Sequence, residues 1–348
     1  MREGVSGNRV IRFIALVFAI FLGSASMLEQ NQVYRSRNVY GAYYDILQEG
    51  ESLRVFEEEQ KEQGNQTAAW REEDSLFVNE DTGRTASGTV FEILGSQELV
   101  FPEMLCQGSY PVSEDDTGCM ISSKLAETLF GSGQVLGAEI RIGEKICTIR
   151  GILKSSRLLA SISGGSRESY DRLLLKNTDS AMTASGVQNI FYSSLGNYPA
   201  VFVEGGLYSA LARLFCMLPV WLAFGLLLIL IRRRTGRGRW IVVAFAIVAA
   251  EKLAAFTFLF SADYLPSMWS DFSFWSSLFP EKLHDIQKLQ RQVPSLLDVQ
   301  MLKHMRNVIL LSAGASISLL FWSIGSASFG HDRNERRHTD GNRDKNAE

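Results

Sequence analysis

The sequence predicts a membrane protein: four transmembrane α-helices plus one mixed α+β extracytoplasmic domain. Three observations carry that prediction. Apolar residues gather in four runs rather than spreading along the 348 residues. Charge is divided unevenly between the segments that separate those runs. The longest of those segments shows helix and hairpin patterns of its own. The mean hydropathy of +0.02 and net charge of −3 hide this division, because both average over unlike parts. Net charge near zero argues against a nucleic-acid binder driven by bulk positive charge, and the apolar fraction of 46% argues against a disordered chain.

The first run, Phe13 to Leu28, reads FIALVFAIFLGSASML and has no charge. It predicts a membrane helix over 10–28 after a short cytoplasmic segment, 1–9. A basic start (Arg2, Arg9, Arg12) and a small-residue end (Ser24, Ala25, Ser26) also describe a cleaved signal peptide. Either way the following residues leave the cytoplasm. The second run, Leu214 to Ile231, is free of charge and predicts a helix over 207–231. The third, 240–261, is apolar except for Glu251 and Lys252, and the fourth, 308–329, has no charge. A bilayer core of about 30 Å needs roughly 20 apolar helical residues, which sets these lengths.

Orientation follows from the basic residues. The link 232–239 carries Arg232, Arg233, Arg234, Arg237 and Arg239 and no acid, so it belongs in the cytoplasm. The polar tail 330–348 adds five Lys or Arg. Residues 29–205 hold 26 acidic and 15 basic residues, so this stretch belongs outside. The expected protein is therefore a multi-pass cell-membrane protein with both termini cytoplasmic and one large domain, 29–206, outside. The segment 262–307 is expected as an extracytoplasmic loop with interfacial aromatics and a short helix over Glu281 to Arg291.

Inside 29–206, Asn31 to Gly64 looks helical from its helix formers and the spacing of Tyr44, Ile46, Leu47, Leu53 and Phe56. Glu57, Glu58 and Glu59 fit its solvated face. Ser75 to Val78, Thr89 to Leu94 and Leu99 to Phe101 look like strands. The clearest local pattern is Ile121 to Ile152. Ser122 and Ser123 suit a helix N-cap, Leu125, Ala126, Leu129 and Phe130 form an apolar helical face, and Gly131 suits a left-handed stop. Gly143-Glu144 then suits a two-residue hairpin turn. In that register Ile142 faces Lys145 and Ile140 faces Cys147. Ile140, Ile142, Cys147 and Ile149 share the buried face, with Glu139, Arg141, Thr148 and Arg150 opposite.

The stretch ISSKLAETLFGSGQVLGAEIRIGEKICTIRGIL resembles the signature of the MacB-like periplasmic core domain. The matching positions are Ser122, Leu129, Phe130, Gly131, Gly137, Gly151 and Ile152, and the upstream TVFEILGSQELVF resembles the family's preceding strand and turn. The order of one span, a large outer domain and three spans is that of FtsX-like ABC transporter permeases. The motif covers about residues 88 to 153. The resemblance implies a non-ATPase subunit that works as a homo- or heterodimer with a separate cytoplasmic ABC ATPase. It converts ATP binding into movement of the outer domains, for export or mechanotransmission. One departure stands against it. The basic link is short and lacks the Glu-Ile-Gly core that contacts the ATPase in that family. A membrane-anchored extracytoplasmic sensing or interaction protein without transport is therefore the alternative.

The candidate sites are few. Glu251 and Lys252 are intramembrane charges, placed either for gating and bundle assembly or as a packing or snorkelling pair. Adjacent helix positions point about 100° apart, so the two cannot simply pair with each other. The five arginines serve orientation and anionic lipid contact, or docking on an acidic ATPase partner. Cys106 and Cys119 are a candidate disulfide across an acidic turn-rich loop, whereas Cys147 and Cys216 fit plain burial. His284, His304, His331 and His338 make no ligand spacing, so no metal or cofactor is expected. Nothing assembles a nucleophile with its base, so no enzyme is expected. Asn65-Gln66-Thr67 matches a glycosylation sequon. Ser312, Gly314, Ser316 and Ser318 suit a close helix-pairing face, within the chain or between two chains.

Overall fold

The computed structural model describes residues 3–258 except 103, 113–114, 166–167, 179–181 and 235–238, and then 276, 280, 287 and 296–344. The chain divides into two units. One comprises residues 37–206 and 261–300, and the other 1–36, 207–260 and 301–348.

The first unit is a ten-stranded sheet with helices. In chain order it contains β1 (Val39–Glu49), α2 (Gly50–Glu62), β2 (Gln66–Asn79), β3 (Arg84–Gly95), α3 (Gln97–Val100) and β4 (Leu105–Gly108). There follow β5 (Gly118–Ser122), α4 (Ser123–Phe130), β6 (Glu139–Ile142), β7 (Lys145–Leu153), β8 (Leu159–Ser163), β9 (Ser169–Lys176), α5 (Ala184–Leu195) and β10 (Val201–Glu204). The main path runs β10-β1-β9-β2-β3-β8-β5-β7-β4, with β6 bridging β2 and β7. That bridge closes a ring: β2, β3, β8, β5, β7, β6 and back to β2, where Phe77 pairs with Ile142. The unit thus has a barrel-like end and an open-sheet end, joined by the long strands β2 and β3.

Burial explains both ends. The ring encloses Phe77, Val90, Cys119, Ile121, Ile140, Ile142, Cys147 and Ile149, and Leu125, Ala126 and Leu129 of α4 pack into the same cluster. At the open end, one face packs Tyr40, Ala42, Tyr44 and Leu173 against Leu53 and Phe56 of α2 and Val187 and Phe191 of α5. The other face packs Val39, Trp70, Phe91 and Leu174 with Leu99, Val100 and Phe101.

Two sequence expectations are corrected here. Residues 39–49 form a strand, not helix. Val39-Tyr40 and Tyr43-Tyr44 are β-favouring residues, and β1 lies between β9 and β10 with both faces covered, so pairing decides its conformation. Of the stretch Asn31 to Gly64, residues 31–35 belong to α1 (Glu3–Arg35) and helix resumes at Gly50. Leu99 to Phe101 is not a strand either, since α3 covers Gln97–Val100.

The second unit contains three long helices: α1 (Glu3–Arg35), α6 (Gly205–Arg234, entering this unit at residue 207) and α8 (Leu296–Asp344, entering it at residue 301). It also holds α7 (Arg239–Thr257). Among the described residues, three helices are long and apolar enough to cross a membrane: Val10–Arg35, Gly205–Ile229 and Leu297–Ser323. Residues 240–257 of the expected third span, 240–261, lie in α7, which is not one of these three. The last helix starts at Leu296, twelve residues before the expected 308, and continues past 329 into the polar tail. Apart from residue 287, the expected helix over Glu281 to Arg291 lies outside the described residues, as do most of the aromatic loop and His284.

Candidate functional site

The motif region is built from local chemistry. The Ser122 hydroxyl accepts from the Leu125 backbone N–H at 3.0 Å and caps α4. It also accepts from the Leu159 N–H at 3.4 Å, so one buried hydroxyl ties the helix start to β8. Gly131 ends the helix with φ of 70°, a left-handed conformation that strains any residue with a Cβ. Leu129 is buried and Phe130 half-buried. Gly137 lies in the loop entering β6, and Gly151 lies in β7 against the Ser109 carbonyl. In the hairpin Ile142 pairs with Lys145 and Ile140 with Cys147, and the apolar set lines the barrel interior.

Cys106 and Cys119 are not joined, which corrects the expected disulfide. β5 and β4 flank opposite edges of β7, which alone sets the two cysteines at least about 9–10 Å apart, and they are also offset along β7, Cys119 opposite Ile149 and Cys106 in the bulge opposite Ile152 and Leu153. A disulfide needs Cα atoms within about 7 Å. Cys106 is exposed, while Cys119 lies in the barrel interior, where a hydrogen bond with Cys147 and then burial push its thiol well up. Asn65 is no accessible glycan acceptor: its buried side chain donates to Gln60 Oε1 at 2.9 Å and accepts from the Thr178 N–H at 3.0 Å.

Polar contacts in the helical unit are specific. Ser26 of α1 and Ser312 of α8 are both buried and share a hydrogen bond of 2.8 Å. Leu22 packs close to Gly314. The small-residue stripe of α8 therefore meets α1 of the same chain. Glu29 and His304 meet at 2.6 Å, so the histidine that lacked a ligand pattern has a carboxylate partner. Trp221 of α6 donates its indole N–H to Thr257 of α7 at 3.1 Å.

Glu251 and Lys252 are exposed on α7, and no described residue bonds to them. Arg232, Arg233 and Arg234 end α6, and Arg239 begins α7. Arg237 lies outside the described residues. The structure singles out Arg213, which precedes the charge-free stretch by one residue and so falls outside the runs. The Arg213 guanidinium carbon stands 5.4 Å from the Tyr34 ring centre and 5.5 Å from that of Phe256. A charge at the edge of an apolar run was the signal that could have found it.

In the sheet unit, the first turn of α8 belongs to the sheet's packing. Leu297 joins the cluster around Trp70, and the buried Tyr43 hydroxyl donates to the buried Asp298 carboxylate. Arg172 and Glu72 form a largely buried ion pair nearby on β9 and β2. Burial holds the Glu72 carboxyl above its ordinary value despite that arginine. Among the described residues no cluster of three or more His, Cys, Asp or Glu offers a metal site.

Solved structures resemble part of the chain, two crystal structures among them. The crystal structure of the periplasmic region of MacB from Actinobacillus actinomycetemcomitans is 11% identical, with a TM-score of 0.41, covering 49% of this chain and 90% of that one. The crystal structure of the extracellular domain of the noncanonic ABC-type transporter YknZ from Gram-positive bacteria is 15% identical, with a TM-score of 0.37, covering 48% of this chain and 98% of that one. No protein-family model and no curated protein matches the chain.

Proposed function

We propose that this chain is a permease-type membrane subunit that couples a cytoplasmic ABC ATPase to movement of an extracytoplasmic domain, for export or mechanotransmission. In this reading α7 is a fourth span, both termini and the arginine link are cytoplasmic, and residues 37–206 lie outside. Two such subunits, identical or different, form the working pair. The subunit itself carries no catalytic residue, and hydrolysis belongs to the ATPase.

One observation supports coupling: how directly the candidate spans run into the outer sheet. Only three residues separate α1 from β1, β10 passes into α6 with none between, and α8 begins at Leu296, beside Leu297 and Asp298 in the outer core. Strand β1 takes part in all three attachments, by sequence, by pairing with β10 and through Tyr43. Such short connections transmit displacement, whereas a flexible linker absorbs it.

Affinity purification of the tagged full chain tests the proposal. The expected result is a co-purifying ATPase whose hydrolysis rate the chain stimulates. No such partner, with no stimulation by any neighbouring ATPase, overturns it. That outcome favours the second reading, a membrane-anchored sensing or interaction protein, which the eight-residue link without a Glu-Ile-Gly core supports.

A further inference from the structure

Arg213 lies where a charge needs a reason. The 18 residues after it, Leu214 to Ile231, carry no charge. At 1.5 Å per residue they span about 27 Å, close to the thickness of a hydrocarbon core. Arg213 thus sits at the border between hydrocarbon and headgroups, near the end of α6 that follows β10. Tyr34 and Phe256 lie toward the corresponding ends of α1 and α7, so three helices meet around one guanidinium.

The contacts are incomplete in a specific way. Aromatic rings attract the cation through their faces but accept no in-plane hydrogen bond. Arg213 is half-buried, and no described residue gives it a hydrogen bond or an ion pair. The carboxylate Glu29, on the same helix as Tyr34, is engaged by His304. Five N–H donors in one plane are thereby left for an outside acceptor. A guanidinium held by its faces presents an edge that matches a phosphate in bidentate fashion.

We propose that Arg213, clamped by Tyr34 and Phe256, is a binding site for a phosphate oxyanion, supplied by the headgroup of a membrane lipid. The border position favours the lipid over free phosphate, because a headgroup phosphate resides at that depth. The proposal rests on α1, α6 and α7 being membrane helices. It does not depend on coupling to an ATPase.

The test uses the full chain in nanodiscs of phosphatidylglycerol, released into a phosphate-free maltoside detergent and weighed by native mass spectrometry. Wild type is expected to retain phospholipid, and Arg213→Gln to retain about tenfold less. Tyr34→Leu should lose part of the retention while leaving the charge in place. Equal retention by wild type and Arg213→Gln overturns the proposal. If Arg213→Gln does not assemble, Tyr34→Leu and Phe256→Leu decide it: retention unchanged in both overturns it, and reduced retention with native helicity supports it. A second arm titrates inorganic phosphate onto delipidated protein. Saturable, Arg213-dependent binding with no lipid retained overturns the lipid source. Release of the wild-type chain from membranes by alkaline carbonate is a separate result, and it refutes the membrane reading itself.

Discussion

The barrel end and the open-sheet end of the sheet unit share β2 and β3 but reach their cores differently. At the barrel end α4, β6 and β7 are neighbours in sequence, and their caps, turn and alternation set the register within about 30 residues. At the open end β1 pairs with β9 and β10, 120 residues or more away. Its core needs Phe56 and Phe191, which meet edge to face at 5.8 Å. Local coding therefore makes one end legible and leaves the other to long-range pairing.

The largest expected effects break one end and spare the other. Phe77→Ala and Phe191→Ala each remove a fully buried ring and should cost about 3–5 kcal/mol. Hydrogen exchange should then separate them. Phe77→Ala is expected to loosen β6 and β7, and Phe191→Ala to loosen β1 and α5. If each variant loosens both ends equally, the two cores are one cooperative body and the distinction fails.

A smaller effect sharpens the local side. Ser122→Ala leaves the Leu125 and Leu159 N–H groups without their hydroxyl, inside the barrel end. The expected loss is about 1–2 kcal/mol, measured by denaturant midpoint. An unchanged midpoint means that the cap does not hold this end.

Glu92 marks the seam, since on β3 it lies between Val90 of the barrel core and Leu94 of the open-end core. Burial raises its carboxyl above the ordinary glutamate value, against the pull of Arg71. In the window from the ordinary value up to the raised one, the folded state holds more protons than the unfolded state. Stability should therefore fall as pH rises through that window. Glu92→Gln should flatten the slope of melting temperature against pH; an unaltered slope removes Glu92 as its source.

The smallest perturbation checks cysteine placement without changing the fold. In native, unreduced protein a thiol reagent should label Cys106 alone, and after denaturation without reductant it should label all four cysteines. An unreactive Cys106 would restore the disulfide that the strand order argues against.

How much was legible follows the same division. The apolar runs read as long helices because length and absence of charge are properties of a segment. The α4 caps and the hairpin register read correctly because a serine, a left-handed glycine and a two-residue period act within a few positions. Val39 to Glu49 was misread because helix-period spacing of its apolar residues continued into a true helix, and the covering strands come from far along the chain. Cys106 and Cys119 are close in sequence, but β7 lies between them and their positions are offset along it.

By itself the sequence determined the apolar helices, the acidic stretch between two of them and the helix–hairpin module, each through interactions between near neighbours. Only the tertiary structure decided that β6 closes a ring, that Ser26 meets Ser312, that Tyr43 holds Asp298 and that Arg213 stands between two rings. Those contacts join residues from about 40 to nearly 290 positions apart. Their stability comes from burial shared between distant segments, which no local pattern records.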